Sequence, residues 1–222
     1  MTIKRKVFSF MPLLAIIVLI SLLMAFRGSS NVVLDDGETS HLIFMRQEEK
    51  LARDVYLTLG DMYPGEVTFA NIPTSEQKHT DSMLNMLDKF NVPDPVTDDA
   101  VGVYTGPVYG PYFTATYTTL VAQGNTSVLN ALYVGALIEE LDMHDIIACP
   151  VIIVETDNDI GEGECGMEYT DVRALVQSYG NLLEGSKNHL RAFVRSIESI
   201  IGEGNYVAQY LSQEDVDEIL GR

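Results

Sequence analysis

Basic residues are scarce in this chain of 222 residues, which has 14 lysines and arginines against 32 aspartates and glutamates. Four of the basic residues lie within positions 1–27, whereas all the acidic residues lie beyond them, so residues 28–222 carry a net charge near −22. A surface of this sign repels nucleic acid and anionic lipid and attracts cations. We therefore expect that the protein has no nucleic-acid partner.

Cysteine is rarer still, with only Cys149 and Cys165 in the chain. The sequence has no CxxC or GxSxG motif, so it gives little support to redox-dithiol or nucleophilic catalysis. In an exported protein a cysteine pair is usually a disulfide, and two free thiols are the alternative. We predict a structural disulfide between Cys149 and Cys165.

One long uncharged run, VFSFMPLLAIIVLISLLMAF (7–26), follows the basic residues at 4–6. Its 20 residues are just enough to span a bilayer, with the basic flank on the cytoplasmic side. A cleaved signal peptide is the alternative, although the run is long for one and no clean A-x-A site follows it. We predict a membrane anchor over residues 1–27 and a linker over 28–40. The rest of the chain is then attached to the cell membrane on its extracytoplasmic side, or secreted if the segment is cleaved.

Helical hydrophobic patterns account for most of the exported part. Four segments have apolar residues at steps of three or four: 41–63, 75–90, 127–149 and 169–202. Residues 91–126, rich in Pro, Gly, Tyr and Thr, predict a long connection with room for short strands, and 150–166 predict a loop. Ser212 is expected to cap a short helix within the tail, 212–222. The fold class is therefore all-α, a four-helix bundle over 41–211 with a long crossover between helices two and three.

Carboxylates and imidazoles interrupt the apolar faces of these helices. Glu49, Glu139 and His189 each lie within an apolar stripe, and Glu76 and His79 are three residues apart and share one helix face. A buried ionised carboxylate is unfavourable by several kcal/mol unless it is paired or bound to metal, and this ligand mixture suits hard or borderline divalent metals. Two alternatives remain open: Glu76 and His79 as an exposed polar pair, and His189 as a hydrogen-bonded core histidine.

Longer motifs surround these residues. They are ExxAxxxY (49–56), ExxH (76–79), GALIEELD (135–142) and GSKNHLRAF (185–193). Together they resemble the ferritin-like superfamily, with a rubrerythrin-like ligand pattern. More narrowly, the strings EEKLARDVY, VGALIEE and NHLRAF resemble a family of prokaryotic ferritin-like proteins known mainly as a domain of unknown function. The resemblance implies a ferritin-like fold over about residues 41–211.

Carried over by position, the resemblance implies a set of candidate metal ligands. They are Glu49, Glu76, His79, Glu139 and His189, with Asp142 as an assisting carboxylate. Glu140 is the register alternative to Glu139. The sequence departs from the pattern at Ser186, where the resemblance expects a glutamate three residues before the histidine. One bridging carboxylate is therefore missing unless Asp142 supplies it.

The resemblance also implies a function. A centre of one or two iron ions, with manganese as the alternative metal, would react with dioxygen or peroxide, or oxidise iron. The competing, non-enzymatic hypothesis is a metal-free bundle anchored in the envelope as a binding or structural module. Metal ions and, through the N-terminal helix, the membrane are the expected partners. A homo-oligomer is left open.

Overall fold

A computed structural model describes residues 32–157 and 159–222, and among them the regular secondary structure is entirely helical. Seven helices follow in chain order: α1 (Asp36–Met62), α2 (Val67–Phe90), α3 (Gly110–Gly124), α4 (Val128–Ile147), α5 (Val151–Thr156), α6 (Arg173–Ile201) and α7 (Gln213–Leu220). The all-α prediction is thus confirmed. The predicted membrane anchor, residues 1–27, lies outside the described residues. Within the described part, no helix combines the length and apolar character needed to cross a membrane.

Helix α1 begins at Asp36, earlier than the predicted helix and inside the segment predicted as linker. Its start is fixed by a capping box, in which the Asp35 side chain accepts from the Glu38 N–H and the Glu38 side chain accepts from the Asp35 N–H. This exchange satisfies two backbone donors that would otherwise have no partner at the helix start. The helix ends at Met62, just before Pro64.

Helix α2 also begins earlier than predicted, at Val67, and runs through Pro73. The sequence predicts a start near Ser75 because Thr74 or Ser75 could cap the helix, and a proline inside a helix removes one backbone hydrogen bond. The additional turns bury Phe69 and Ile72. Packing of these apolar side chains outweighs the local cost of the proline, as tertiary contacts often do.

The connection between α2 and α4 contains the helix α3, which the sequence pattern does not predict. Residues 91–126 were expected to be an irregular connection with room for short strands, but Gly110–Gly124 is helical and the described part contains no strand. The helix buries Phe113 and Leu120 and contacts α1 and α4. Its threonines and tyrosines favour strands, so tertiary packing rather than propensity decides its conformation.

The C-terminal half follows the predicted pattern more closely. Helices α4 and α6 lie within the predicted segments 127–149 and 169–202, and Ser212 caps α7 by accepting from the Asp215 N–H. The segment 150–166, predicted as a loop, contains the short helix α5. Cys149 and Cys165 form the predicted disulfide, which joins the end of α4 to the segment before α6.

The four long helices pack against one another in pairs. Helix α1 lies along α2 and α4 lies along α6, while α2 also contacts α6 and α1 also contacts α4. Their inner faces contribute large buried side chains, among them Tyr56, Met83, Leu132 and Phe193. Because all four helices face one core, polar side chains on those faces can meet at one point.

Candidate metal centre

Glu76 of α2 lies between two histidines. Its Oε2 is 3.0 Å from Nδ1 of His79, one helical turn along α2, and its Oε1 is 2.6 Å from Nδ1 of His189 on α6. The Glu76 side chain is 2% exposed, and those of His79 and His189 are 13% and 10% exposed. The Glu76–His79 pair is therefore buried, and the alternative of an exposed surface pair is wrong.

A second carboxylate approaches each histidine from the other helix of the same pair. Oε2 of Glu49, on α1, is 3.2 Å from Nδ1 of His79, and Oε2 of Glu139, on α4, is 3.6 Å from Nδ1 of His189. The two imidazole rings stack with their centroids 5.4 Å apart. The arrangement consists of two similar halves, each with one histidine and one terminal carboxylate, which share the carboxylate of Glu76.

These close approaches lack the geometry of hydrogen bonds. Within the described residues, Nδ1 of His79, Nδ1 of His189, and Oε1 of both Glu49 and Glu76 have no hydrogen-bond partner. Ligand atoms that surround one metal ion octahedrally at about 2.1 Å lie about 3.0 Å from each other. The observed separations are close to that value, and ligand atoms of Glu76, His79 and His189 all lie within 4.8 Å of one another. The donor atoms thus fit around cations better than they pair among themselves.

Without a cation, protons on the histidines balance the carboxylates. Burial alone would lower the pKa of His79 and His189, but the neighbouring glutamates outweigh it and raise the pKa to about 11 and about 10. Burial would raise the pKa of Glu76, but the histidines hold it at about 2. Burial dominates at Glu49 and raises its pKa to about 7. Since histidine binds metal as the neutral imidazole, a metal ion must displace these protons.

The base of the centre is apolar and aromatic. Tyr56 packs against Phe69 and Phe193, with ring centroids 6.1 and 5.1 Å away, and donates a hydrogen bond of 2.6 Å to Oε1 of Glu139. Burial and then the charge of Glu139 raise the pKa of Tyr56 well above its usual value, so the phenol stays protonated. Tyr56 therefore fixes one oxygen of Glu139 and leaves the other directed at His189.

Asp142 occupies the position next to Ser186 where the sequence pattern departs from its resemblance. The Ser186 hydroxyl donates to Oδ2 of Asp142, and Oδ1 of Asp142 has no hydrogen-bond partner among the described residues. Burial, followed by the charges of Glu49 and Glu139, raises the pKa of Asp142 well above its usual value. A carboxylate from α4 thus lies where α6 carries only a serine.

Glu140, the register alternative, faces away from the centre. Its carboxylate accepts from the Tyr206 hydroxyl at 2.6 Å and from the N–H groups of Gln209, Tyr210 and Leu211 at 2.9, 2.6 and 2.9 Å. These four donors stabilise a buried anion without a cation and fasten the segment after α6 onto α4. Glu139 is therefore the glutamate that reaches the centre.

Two features of the site are absent from the sequence predictions. A Cβ atom at Gly185 would lie 2.4 Å from Cε1 and 2.5 Å from Nε2 of His79, so only glycine leaves room for that ring. Glu48, next to Glu49, is also buried. The sequence could have indicated that Glu48 is buried, because Glu48 lies in an apolar stripe with Phe44. Nothing in the sequence indicates that Gly185 leaves room for the His79 ring.

Comparison with known proteins gives relatives of unknown function. An uncharacterized protein of Methanocaldococcus jannaschii, MJ0754, is 41% identical over 187 residues, which cover 84% of this chain and 88% of that protein. The crystal structure of the hypothetical protein MJ0754 from Methanococcus jannaschii matches with a TM-score of 0.72 and 39% identity, over 86% of this chain and 95% of that one.

A family model described as an uncharacterized protein domain, DUF2202, matches residues 38–222. The match covers the four long helices except the first two residues of α1, and it includes every residue of the candidate centre. The expectation of a domain of unknown function is thereby confirmed. This chain belongs to the DUF2202 family.

Proposed function

We propose that the four long helices form a ferritin-like bundle that would hold two divalent metal ions, iron or manganese, with Glu76, which lies between the two histidines, as a ligand. His79 and Glu49 would hold one ion, and His189 and Glu139 the other. The observation that carries this proposal is the position of Glu76, whose two oxygens face different histidines at 3.0 and 2.6 Å without forming hydrogen bonds. Dinuclear sites in helical bundles are built from histidines and four glutamates of facing helices, and this chain offers both histidines, three of the glutamates and, beside Ser186, Asp142.

The ligand chemistry favours iron or manganese over softer metals. Three carboxylates and two imidazoles form a hard to borderline set, and neither cysteine is free to act as a thiolate ligand because both are in the disulfide. When bound, such ions supply activation of dioxygen or peroxide, or oxidation of ferrous iron. We therefore propose an oxidoreductase that handles iron or peroxide.

The protein's own groups would prepare the site for this chemistry. Glu49, Glu76 and Glu139 balance the charge of the cations, and the hydrogen bond from Tyr56 restricts Glu139 to one orientation. Asp142, held by Ser186, is available as a further carboxylate. The aromatic packing around Tyr56 keeps water from the inner side of the ligands and strengthens their electrostatic interactions.

The test is elemental analysis of the full-length protein after anaerobic loading with ferrous iron. We expect about two ions per chain. His79→Ala and Glu49→Gln each remove a ligand of one half and should lower the occupancy at least by half. His144→Ala is the matched control, because His144 is a partly exposed histidine outside the ligand set. If the wild type takes up no iron, the metal-free bundle is the better description. If His79→Ala and His144→Ala take up equal amounts of iron, the iron is bound elsewhere and the proposed centre is wrong.

We also propose that residues 7–26 anchor the domain on the extracytoplasmic side of the cell membrane. The disulfide supports this proposal, since disulfides persist mainly in oxidising compartments. The full-length protein should fractionate with membranes and be digested by protease added to intact cells. Recovery of full-length protein from the cytosol would contradict the proposal.

A further inference from the structure

Three buried carboxylates lie beside the candidate centre on one side. Glu48, Asp142 and Asp145 are 7%, 4% and 9% exposed. Glu48 is the neighbour of Glu49 on α1, and Asp142 and Asp145 follow Glu139 at steps of three along α4, which places them on one side of that helix. We call these three residues the acidic route.

The acidic route lacks the compensation that other buried acids in the protein have. Oε2 of Glu48 and Oδ1 of Asp142 have no hydrogen-bond partner within the described residues, and no lysine or arginine there forms an ion pair with any member of the route. Asp145 pairs with His144, whose Nδ1 lies 2.8 Å from Oδ1 of Asp145. Unpaired buried carboxylates are unfavourable, so these positions need a cation or a proton.

The contrast with Asp54 shows how the same fold treats a structural acid. Asp54 is fully buried, and its carboxylate accepts from Lys50 and from Arg53, while the Gly102 N–H also donates to it at 2.9 Å. Arg53 also pairs with Asp99 at 2.8 Å, so two cations face two anions, and the cluster fastens the connection after α2 onto α1. Glu48 of the acidic route lies on the same helix α1 without such partners, so simple structural stabilisation does not explain its burial.

The carboxylates of the route and of the centre lie close enough to repel one another. Burial raises the pKa of Glu48 well above its usual value, and the charges of Asp145, Asp142 and Glu49 raise it further. Burial and the charges of Glu49 and Glu139 act in the same way on Asp142. Glu48 and Asp142 each lie near carboxylates of both the route and the centre.

The outer end of the route is partly open to solvent. Tyr112 and Tyr210 are both exposed, and the Tyr210 ring meets the His144 ring edge-on at 5.1 Å. Burial and the charges of Glu48 and Asp145 raise the pKa of both tyrosines, that of Tyr112 to about 12. These tyrosines therefore lie beside the outer carboxylates, at the boundary between the route and the surface.

We infer that Glu48, Asp142 and Asp145 conduct divalent metal cations from the surface to the centre, an inference that rests on the proposed function. Carboxylate oxygens replace water ligands of a hard cation one at a time, so a series of unpartnered carboxylates lowers the cost of its desolvation. Among the described residues, ligand atoms converge closely only at Glu76, His79 and His189, not at the route. The route therefore binds a cation in passing, and the centre retains it.

The experiment measures how fast and how far the full-length protein takes up Co²⁺, followed anaerobically by its visible absorption after rapid mixing. Glu48→Gln and Asp145→Asn keep the side-chain shape and remove one charge each. We expect the initial rate to fall by about tenfold, the scale of an electrostatic effect on association, while the final Co²⁺ per chain stays at the wild-type value. Glu203→Gln removes a charge from an exposed position and is the matched control, with an unchanged rate.

Two outcomes overturn the inference. If both variants load as fast as the wild type, the buried carboxylates are merely protonated and conduct nothing. If the final Co²⁺ content falls, Glu48 or Asp145 is a resident ligand rather than part of a route. The proposed function fails separately, when the wild type itself binds no metal. If one variant does not fold, as judged by circular dichroism, the other decides the outcome.

Discussion

At the scale of single residues, the space around His79 depends on one missing side chain. An alanine Cβ at position 185 would lie 2.4 Å from Cε1 of His79, so Gly185→Ala must displace the ring from Glu49 and Glu76. We expect metal affinity to fall at least tenfold, which corresponds to about 1.4 kcal/mol. Titration with Co²⁺ would measure it.

The same helix provides a matched control for this substitution. A Cβ at Gly180 would meet no atom within 4 Å. Gly180→Ala should therefore leave metal binding unchanged and raise the free energy of unfolding by up to about 1 kcal/mol, because alanine favours helix over glycine. If Gly185→Ala binds metal as well as Gly180→Ala does, the position of His79 is not critical.

His41 is a buried histidine whose neutral form the fold requires. Its Nε2 donates to the Asp145 carbonyl at 2.8 Å, and its Nδ1 accepts from the Tyr179 hydroxyl at 3.0 Å. Burial lowers the pKa of His41 to about 4 from the usual 6.5. Below pH 6.5, His41 binds a proton in the unfolded chain but not in the folded chain. The free energy of unfolding therefore falls progressively as the pH drops from about 6.5 to about 4.

The expected loss over that window is about 3 kcal/mol of unfolding free energy. Urea unfolding at several pH values would measure it in the wild type and in His41→Gln, whose amide can keep both hydrogen bonds but does not titrate. The difference between the two proteins isolates His41 from the carboxylates that titrate in the same range. Parallel pH profiles would show that His41 is protonated in the folded state.

At the scale of helices, the sequence predicts those helices whose apolar residues recur every three or four positions and are buried in the fold. Helices α4 and α6 carry regular apolar stripes, and the candidate ligands Glu139 and His189 could be found because they interrupt those stripes. The first turns of α2 and all of α3 were missed, since Pro73 and the threonine-rich segment before Gly124 favour other conformations locally. Their helical state depends on tertiary contacts, which a single sequence does not display.

The same limit applies to the candidate site. Helix spacing alone could place Glu76 beside His79, because residues three apart share a face. The choice between Glu139 and Glu140 needed the segment around Gln209, whose N–H groups bind the second glutamate. Contacts between helices distant in sequence decide such questions, and periodicity within one helix cannot.

The disulfide acts at the same scale, because it fastens two elements together. Cys149 and Cys165 are 16 residues apart, and backbone hydrogen bonds from Met167 to Ile146 and from Glu168 to Ile147 accompany the bridge. A loop of that length predicts a loss of roughly 3 kcal/mol when the bond is removed, through the entropy of the unfolded chain. Guanidinium unfolding with and without reductant would measure this loss.

A cysteine-free variant provides the control for that measurement. Cys149→Ala with Cys165→Ala should have the stability of the reduced wild type and should not respond to reductant. Equal stability of the oxidised and reduced wild type would show that the hydrogen bonds beside the bridge hold the segment without it.

At the scale of the whole molecule, the basic residues of α1 pair with acids outside the candidate centre and so do not neutralise its carboxylates. Lys50 and Arg53 are buried on α1, where they fasten the connection after α2. Arg46 on the same helix pairs with Asp94 at 3.2 Å. Among the described residues, no lysine or arginine pairs with the carboxylates of the centre or of the acidic route, which are therefore left to attract cations.

Metal binding should consequently stabilise the entire fold. A ligand that binds only the folded state adds about 2.7 kcal/mol at a free concentration of 100 times its dissociation constant. In a chain of this size that is roughly 5–10 °C in the midpoint of thermal unfolding. Calorimetry of the protein with Mn²⁺ or Co²⁺, and again after addition of a chelator, would measure this shift.

Glu76→Gln is the decisive variant in this measurement, because the carboxylate of Glu76 lies between the two histidines of the proposed centre. We expect it to lose most of the metal-dependent shift, whereas Glu184→Gln, which removes an exposed carboxylate from α6, should keep it. In metal-free Glu76→Gln, two protonated histidines face a neutral amide. The unfolding midpoint of this form, compared with that of the metal-free wild type, measures what the carboxylate contributes to stability without metal. A metal-dependent shift of equal size in both variants would place the bound cation elsewhere on the acidic surface and would contradict the centre proposed around Glu76.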